Sequence, residues 1–413
     1  MQKMETLRVE LQEPDGKWLQ VGTLFNSGDV NWFGFEDSYW AAPNRPVLGQ
    51  FFEEKGRSGD YRKTKVSLPR WFSHLLPEGY LRSQVAAKLG IPQVREFPML
   101  RGLGETDLPG AVRVVESDTN ESSEPKAWEK SAKRQSGERP PELKFSLAGI
   151  QMKYSVLQTE AGMTVPAKGL AGDFILKLPD LRPGFQNVPE SEHAVMELGR
   201  KVGLDMVSSR LIELHSVAGL PKELAGKSRG LLVPRFDRKG SSSRIHAEHF
   251  GQIIDISSGR ARDKYDRANI ETIGLVASTL AGSEAAHEVI RRVIFNILIG
   301  NGDAHLKNWA ITYPDGRTPQ LSPAYDVVPT VLYIESDNLG LNLGDTKDFQ
   351  EIGNENFARY WSFLGLDVSQ GASIIREVVG SVDENWDILS DLLSLDQAAR
   401  LRAHFEATKL AHL

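Results

Sequence analysis

Apolar and polar positions alternate along the first 35 residues. Leu7-Arg8-Val9-Glu10-Leu11 and Trp18-Leu19-Gln20-Val21-Gly22-Thr23-Leu24 carry the two-residue period of strands with one buried face, and Pro14-Asp15-Gly16 supplies a tight turn between them. Residues 30–35, with Trp32, Phe33 and Phe35, predict a third strand. From Leu68 the period becomes helical. Trp71, Leu75, Leu76, Tyr80, Leu81, Val85 and Leu89 recur three or four apart until Gly90-Ile91-Pro92 stops the run. Residues 1–115 therefore predict a small α+β domain.

Residues 116–143 are rich in Ser, Glu, Lys and Pro and have no apolar period. Such a stretch buries too little apolar surface to offset its ordering entropy, which predicts a flexible polar linker. Strand patterns resume at 154–158 and 174–178. A helix is predicted over 190–202, with Ala194, Val195, Leu198 and Val202 on one face and Ser191 as its cap. Strands follow at 210–214 and 230–233, then helices at 270–280, 283–299, 373–379 and 386–405. Strands early and helices late make a bilobal α+β plan: a strand-rich lobe over 144–236 and a mainly helical lobe over 237–413.

Composition narrows the function classes. A chain of 413 residues can hold two or three domains, and its formal charge of −6 argues against a surface that coats nucleic acid generally. The absence of cysteine removes disulfides, thiol nucleophiles and thiolate metal sites, and is compatible with a reducing compartment. No run approaches the roughly 18 apolar residues of a membrane span, and the start lacks an apolar signal core. A cytoplasmic protein is the expectation.

Chemistry concentrates in Asn301-Gly302-Asp303-Ala304-His305-Leu306-Lys307-Asn308 and in Pro323-Ala324-Tyr325-Asp326. A phosphotransferase needs a carboxylate to orient the attacking hydroxyl and take its proton, and an Asn with another carboxylate to hold Mg²⁺ on the phosphates. Asp303, Asn308 and Asp326 suit those roles in that order. The alternative is an Asx-rich turn ending the preceding helix, whose Val289, Val293, Ile294, Ile297 and Leu298 predict a buried support. Lys177 reads either as an edge-strand lysine or as an inward lysine for nucleotide phosphates. Glu192 reads either as a partner of the helix dipole or as the partner of Lys177. His305 would brace the loop, and Lys307 would neutralise a transferring phosphoryl group or face solvent. Trp309 reads as packing and Arg291-Arg292 as a solvated face. One His and two Asp lack the ligand clusters of zinc or two-metal hydrolases.

Taken together, several separated stretches resemble the HipA-type serine/threonine protein kinases, toxins of type II toxin–antitoxin modules. They are Phe72-Ser73-His74-Leu75-Leu76-Pro77-Glu78-Gly79, Leu108-Pro109-Gly110, residues 146–153, Ile175-Leu176-Lys177, Arg235-Phe236-Asp237-Arg238, the Asp303 loop and Tyr325-Asp326. The resemblance implies a protein-kinase-like bilobal fold preceded by a HipA-type N-terminal domain, using ATP and Mg²⁺. Asp303 would be the base, and Asn308 with Asp326 the metal ligands. Ala148, Gly149, Ile150, Gln151 and Lys153 would form a phosphate loop, Lys177 paired with Glu192 would meet the phosphates, and His305 would border the nucleotide. Phe236 and the backbone of Pro234 would hold adenine. Ser146 matches a serine whose autophosphorylation switches the enzyme off. The match departs from the family in a loop with Gly149 as its one glycine, in Met152 where a charged residue is expected, and in Pro234, which lacks the N–H that an acidic hinge residue would offer. Also implied are a HipB-type helix-turn-helix antitoxin, operator DNA reached through that partner, and a translation component as substrate, an aminoacyl-tRNA synthetase such as glutamyl-tRNA synthetase. Alternatives are a kinase of this fold with another protein or small-molecule substrate and no toxicity, or a kinase-like corepressor.

Overall fold

The computed structural model describes residues 4–57, 64–104, 107–117, 153–160, 162–165, 172–180, 182–185, 187–220, 228–240, 243–259 and 262–413. The sequence expectations for Ser146, Ala148, Gly149, Ile150 and Gln151 lie outside them, as does most of the 116–143 segment. None of the helices among the described residues is long and apolar enough to cross a membrane.

The N-terminal strands are β1 (Met4–Gln12), β2 (Trp18–Ser27) and β3 (Val30–Phe35), joined by β4 (Thr64–Lys65) and β5 (Val112–Glu116). All pairings are antiparallel, in the order β4-β3-β2-β1-β5. The alternation decides which face is inward: Leu7, Val9, Leu11, Val21, Leu24 and Phe33 are buried and pack on Phe52, Trp71, Phe72, Phe97 and Leu100. The helical period from Leu68 to Leu89 does not make one helix. It splits into Arg70–Ser73 and Gly79–Leu89, because Pro77 has no N–H to donate and disfavours helical backbone at the residue before it. The helix Glu96–Leu103 was not expected from the pattern.

The second sheet holds β6 (Lys153–Thr159), β7 (Gly162–Thr164), β8 (Phe174–Lys177), β9 (Arg210–Glu213) and β10 (Arg229–Pro234), ordered β7-β6-β8-β10-β9. Since β8 is central, the edge-strand reading of Lys177 is excluded. Against this sheet lies the helix Val188–Lys201, with Ala194, Val195, Met196 and Leu198 buried. Its N-cap is Asn187, in a left-handed conformation at φ 61°, and not Ser191. Ser191 lies inside the first turn, where its hydroxyl bonds Val188 O at 3.1 Å and the Tyr333 hydroxyl at 2.8 Å.

The remaining chain is mainly helical, apart from the pair β11 (Arg238–Lys239) and β12 (Ser243–Arg244) and a three-stranded sheet of β13 (His246–His249), β14 (Ala310–Tyr313) and β15 (Gln320–Leu321). The helix Ser283–Leu298 runs through the centre of the lobe, with Val289, Ile290, Val293, Ile294, Ile297 and Leu298 fully buried. Arg292 is buried as well, donating to Ser322 O at 2.9 Å and to Glu288 at 2.7 Å, so the solvated-face reading fails for that arginine. Around this helix stand Ile270–Ala281, Asn354–Phe363, Val368–Glu384, Asp387–Leu392 and Leu395–Ala407. The single helix expected over 386–405 is two. Leu393 is extended, and the Ser394 hydroxyl accepts from Gln397 N and starts a new helix.

Candidate active site

The site grows from the end of the central helix. After Leu298 the backbone turns at Gly300, where φ is 64°. Asn301, buried, donates to Asn296 Oδ1 at 3.0 Å while its own Oδ1 accepts from Asp303 N at 3.1 Å. Thr330 Oγ1 holds Gly302 N at 2.6 Å. The loop closes on itself through His305 N and Asn308 Nδ2, each donating to Asp303 O at 2.8 Å, and Asn308 N donating to His305 O at 2.8 Å. Because Asn308 spends its amide N–H on that carbonyl, its side-chain oxygen remains the group available to a cation. Tyr325 fastens the far end, its hydroxyl donating to Lys307 O at 2.8 Å.

A cleft of about 650 Å³ opens above this loop, bordered by Asp303, His305, Lys307, Asn308, Asp326 and Lys153 among others. Tyr265 donates its hydroxyl to Asp303 Oδ1. Burial pushes the Asp303 carboxyl above its ordinary range, against the opposing pull of Lys264 and of the Tyr265 hydrogen bond. A carboxylate so placed is a stronger base than one in water. His305 lies 3.9 Å from that carboxylate, too far for a hydrogen bond, and burial followed by Lys264 holds its imidazole down to about 3. It packs edge-on against Tyr265, ring centroids 5.0 Å apart, a bracing role.

Asp326 faces the loop from across the cleft. Strand register explains its surroundings, because Lys153 of β6 and Lys177 of β8 are directly opposed. Two ammonium groups on neighbouring strands repel unless anions stand between them. Asp326 supplies one anion, contacting Lys153 at 3.1 and 3.2 Å and also Lys177. Glu192, fully buried on the Val188–Lys201 helix, supplies the other by pairing with Lys177. Burial raises Asp326, yet Lys153 and Lys177 outweigh it and hold the carboxylate ionised far below its usual range. Burial likewise opposes the charge on Lys177, and Asp326 with Glu192 overcomes it. Asp326 adopts this position with φ 58°, a left-handed conformation uncommon outside glycine.

The structure thus brings Lys153, Asp303, His305, Lys307, Asn308 and Asp326 around one cleft, with Lys177 and Glu192 buried behind Asp326. Phe236 is set to the side. It does not border the cleft among the described residues, but its ring packs on Tyr325, centroids 5.0 Å apart, and Tyr325 does. Pro234 ends β10, opposite Phe174. Lys307 does not face open solvent; its side chain is 13% exposed and its ammonium contacts Glu78 of the N-terminal domain. Tyr265 and Lys264 were missed from the sequence, since no local pattern marks them. The described residues contain no cluster of three or more acidic or histidine groups able to hold a metal.

A bilobal α+β fold with a paired strand lysine and helix glutamate above a carboxylate loop defines the kinase class. The profile of the HipA-like C-terminal domain matches residues 145–386, and that of the HipA N-terminal domain matches residues 17–115. Y4dM of Sinorhizobium fredii, named as a kinase, is 36% identical over 391 residues, covering 92% of each chain. The serine/threonine-protein kinase toxin HipA of Shewanella oneidensis is 22% identical over 397 residues, covering 84% of this chain and 83% of that one. The solved complex of Shewanella oneidensis HipA with HipB and its operator DNA superposes with a TM-score of 0.72, at 20% identity, over 98% of this chain and 96% of that one. The chain belongs to the HipA-like kinase family.

Proposed function

We propose that the chain is an ATP- and Mg²⁺-dependent serine/threonine protein kinase acting as the toxin of a toxin–antitoxin module. The observation that carries this reading is the convergence of Asp303, Asn308, Asp326 and Lys153 on one cleft, with Lys177 buried behind Asp326 and paired with it and with Glu192. Phosphoryl transfer needs little covalent chemistry from the protein and much positioning, and these groups are fixed by buried or mutually satisfied contacts.

In this reading Asp303 orients the acceptor hydroxyl and takes its proton as the new P–O bond forms and the bond from the γ-phosphorus to the bridging oxygen breaks, releasing ADP. Lys177, aligned by Glu192, and Lys153 face the phosphates, and Lys307 faces the charge developing on the transferred group. Asn308 through its amide oxygen and Asp326 through its carboxylate would hold Mg²⁺. That all-oxygen donor set suits the ion, and Lys153 and Lys177, which meet the Asp326 carboxylate, supply positive charge for the phosphates. Bound Mg²⁺ neutralises phosphate charge. Phe236 and the Pro234 carbonyl take the adenine side, and Ser146, with the loop 148–151, controls access by autophosphorylation. The substrate is a protein of translation, an aminoacyl-tRNA synthetase, and the partner is a HipB-type antitoxin that brings the pair to operator DNA. The partner assignment is supported by the complex formed by the Shewanella homologue.

The test is γ-phosphate transfer by the full chain beside Asp303→Asn. Wild type should label itself or a synthetase and arrest growth when expressed alone, and the variant should do neither while remaining folded. Transfer by the Asn variant at the wild-type rate would sink the assignment.

A further inference from the structure

The helical lobe does not build the cleft alone. Glu78 belongs to the N-terminal domain and lies 229 residues from Lys307 in sequence, yet its carboxylate Oε1 accepts from the Lys307 ammonium and it borders the cleft. Its placement is constrained from both sides. Before it, the segment 71–76 is buried against the helical lobe. There Trp71 donates its indole N–H to Glu248 at 3.1 Å, Gln252 Nε2 donates to Trp71 O at 3.2 Å, and His74 Nε2 meets Ile256 O at 3.0 Å. After it, Gly79 turns with φ 53° and opens the helix Gly79–Leu89, whose positive N-terminal end favours a carboxylate at the cap. The backbone on either side of Glu78 is thereby held in place.

Lys307 needs such an anchor. Its backbone is fixed by Tyr325, but a lysine side chain is a compact charge on four flexible carbons. Among the described residues, the hydrogen bond recorded for its Nζ is the one to Glu78. Lys264 and Arg82 add positive charge nearby, so Glu78 also offsets a local excess that would push the ammonium away.

We propose that Glu78 is a positioning residue for phosphoryl transfer, contributed by the N-terminal domain and acting through Lys307; this rests on the kinase reading above. The N-terminal domain is then part of the catalytic apparatus and not merely an appended module. Glu78 touches neither reacting atom; it sets where the Lys307 charge stands when the phosphoryl group passes.

The experiment measures ADP release and γ-phosphate transfer by the full chain and by Glu78→Gln, Glu78→Asp, Lys307→Ala and the Glu78→Gln/Lys307→Ala double variant, with a thermal melt of each. Glu78→Gln should lower kcat roughly 10- to 100-fold, the scale of a misplaced positioning contact, with little change in KM for ATP. Glu78→Asp should recover most of the loss, and Glu78→Gln should add nothing once Lys307 is Ala. Unchanged or raised kcat in Glu78→Gln, or an equal further loss in the Lys307→Ala background, overturns the proposal. A wild-type chain releasing no more ADP than Asp303→Asn overturns the kinase reading and this role with it. That outcome is distinct from an active wild type beside an unaffected Glu78→Gln.

Discussion

Two buried acidic clusters in this molecule are satisfied by opposite means. Beside the cleft, Glu192 and Asp326 are met by the ammonium groups of Lys177 and Lys153. Where the N-terminal domain meets the rest of the chain, Glu248 is met by neutral donors: Gln50 N at 2.8 Å, the Tyr313 hydroxyl at 2.6 Å and the Trp71 indole at 3.1 Å. Nearby, Asp107 and Asp237 are met by the planar guanidinium groups of Arg235 and Arg238. Lysines present point charges that a phosphate or cation can redirect, while arginine forks and neutral donors fix one geometry. One cluster is arranged to exchange partners and the other to hold domains in register.

Substitutions can break that contrast. Lys177→Met leaves Glu192 buried without its cation and should cost about 3–5 kcal/mol of stability, besides ending ATP turnover; urea unfolding and ADP release check the two effects separately. A stable, active variant would mean that the cleft cluster is not charge-balanced as described. Glu248 sharpens the other side through pH. Burial pushes its carboxyl up to about 7 against three hydrogen bonds pulling down. The folded state therefore binds a proton that the unfolded chain releases near 4.5, so this contribution is complete below that pH and disappears as pH rises through about 7. The difference in unfolding free energy between wild type and Glu248→Gln should change by about 3 kcal/mol across that window. Taking the difference cancels buried His74 and His246, which titrate in both proteins. A pH-independent difference would show that Glu248 stays ionised. The smallest effect is local: Ser394→Ala removes a helix cap and should cost about 1 kcal/mol in the same measurement, with turnover unchanged.

How much of this was legible follows from range. The alternation of Leu7, Val9 and Leu11 and the spacing of Val289, Val293 and Ile297 are local, and they gave the strands and the supporting helix directly. The loop proposed as catalytic stood out because its polar groups lie within a few residues of one another. Lys177 and Glu192 stayed ambiguous because their alternatives depend on which strand is central, and pairing order is not local. Glu78 was visible within a motif but without a partner, since nothing in the chain signals a contact made across 229 residues. The split helices failed for a different reason. Apolar periodicity persists through Pro77 and Leu393-Ser394, while backbone chemistry there ends the helix.

The left-handed backbone of Asp326 bears on how this gene can vary. Most side chains are strained at φ 58°, but Asn tolerates that conformation and Gly adopts it freely. Both are reached from an Asp codon by a single base change. Each removes the carboxylate that meets Lys153 and Lys177 while sparing the turn that carries it. A population selected against the kinase thus has a short mutational route to chains that keep the turn and lose the charge, a route that most other replacements at this position do not offer.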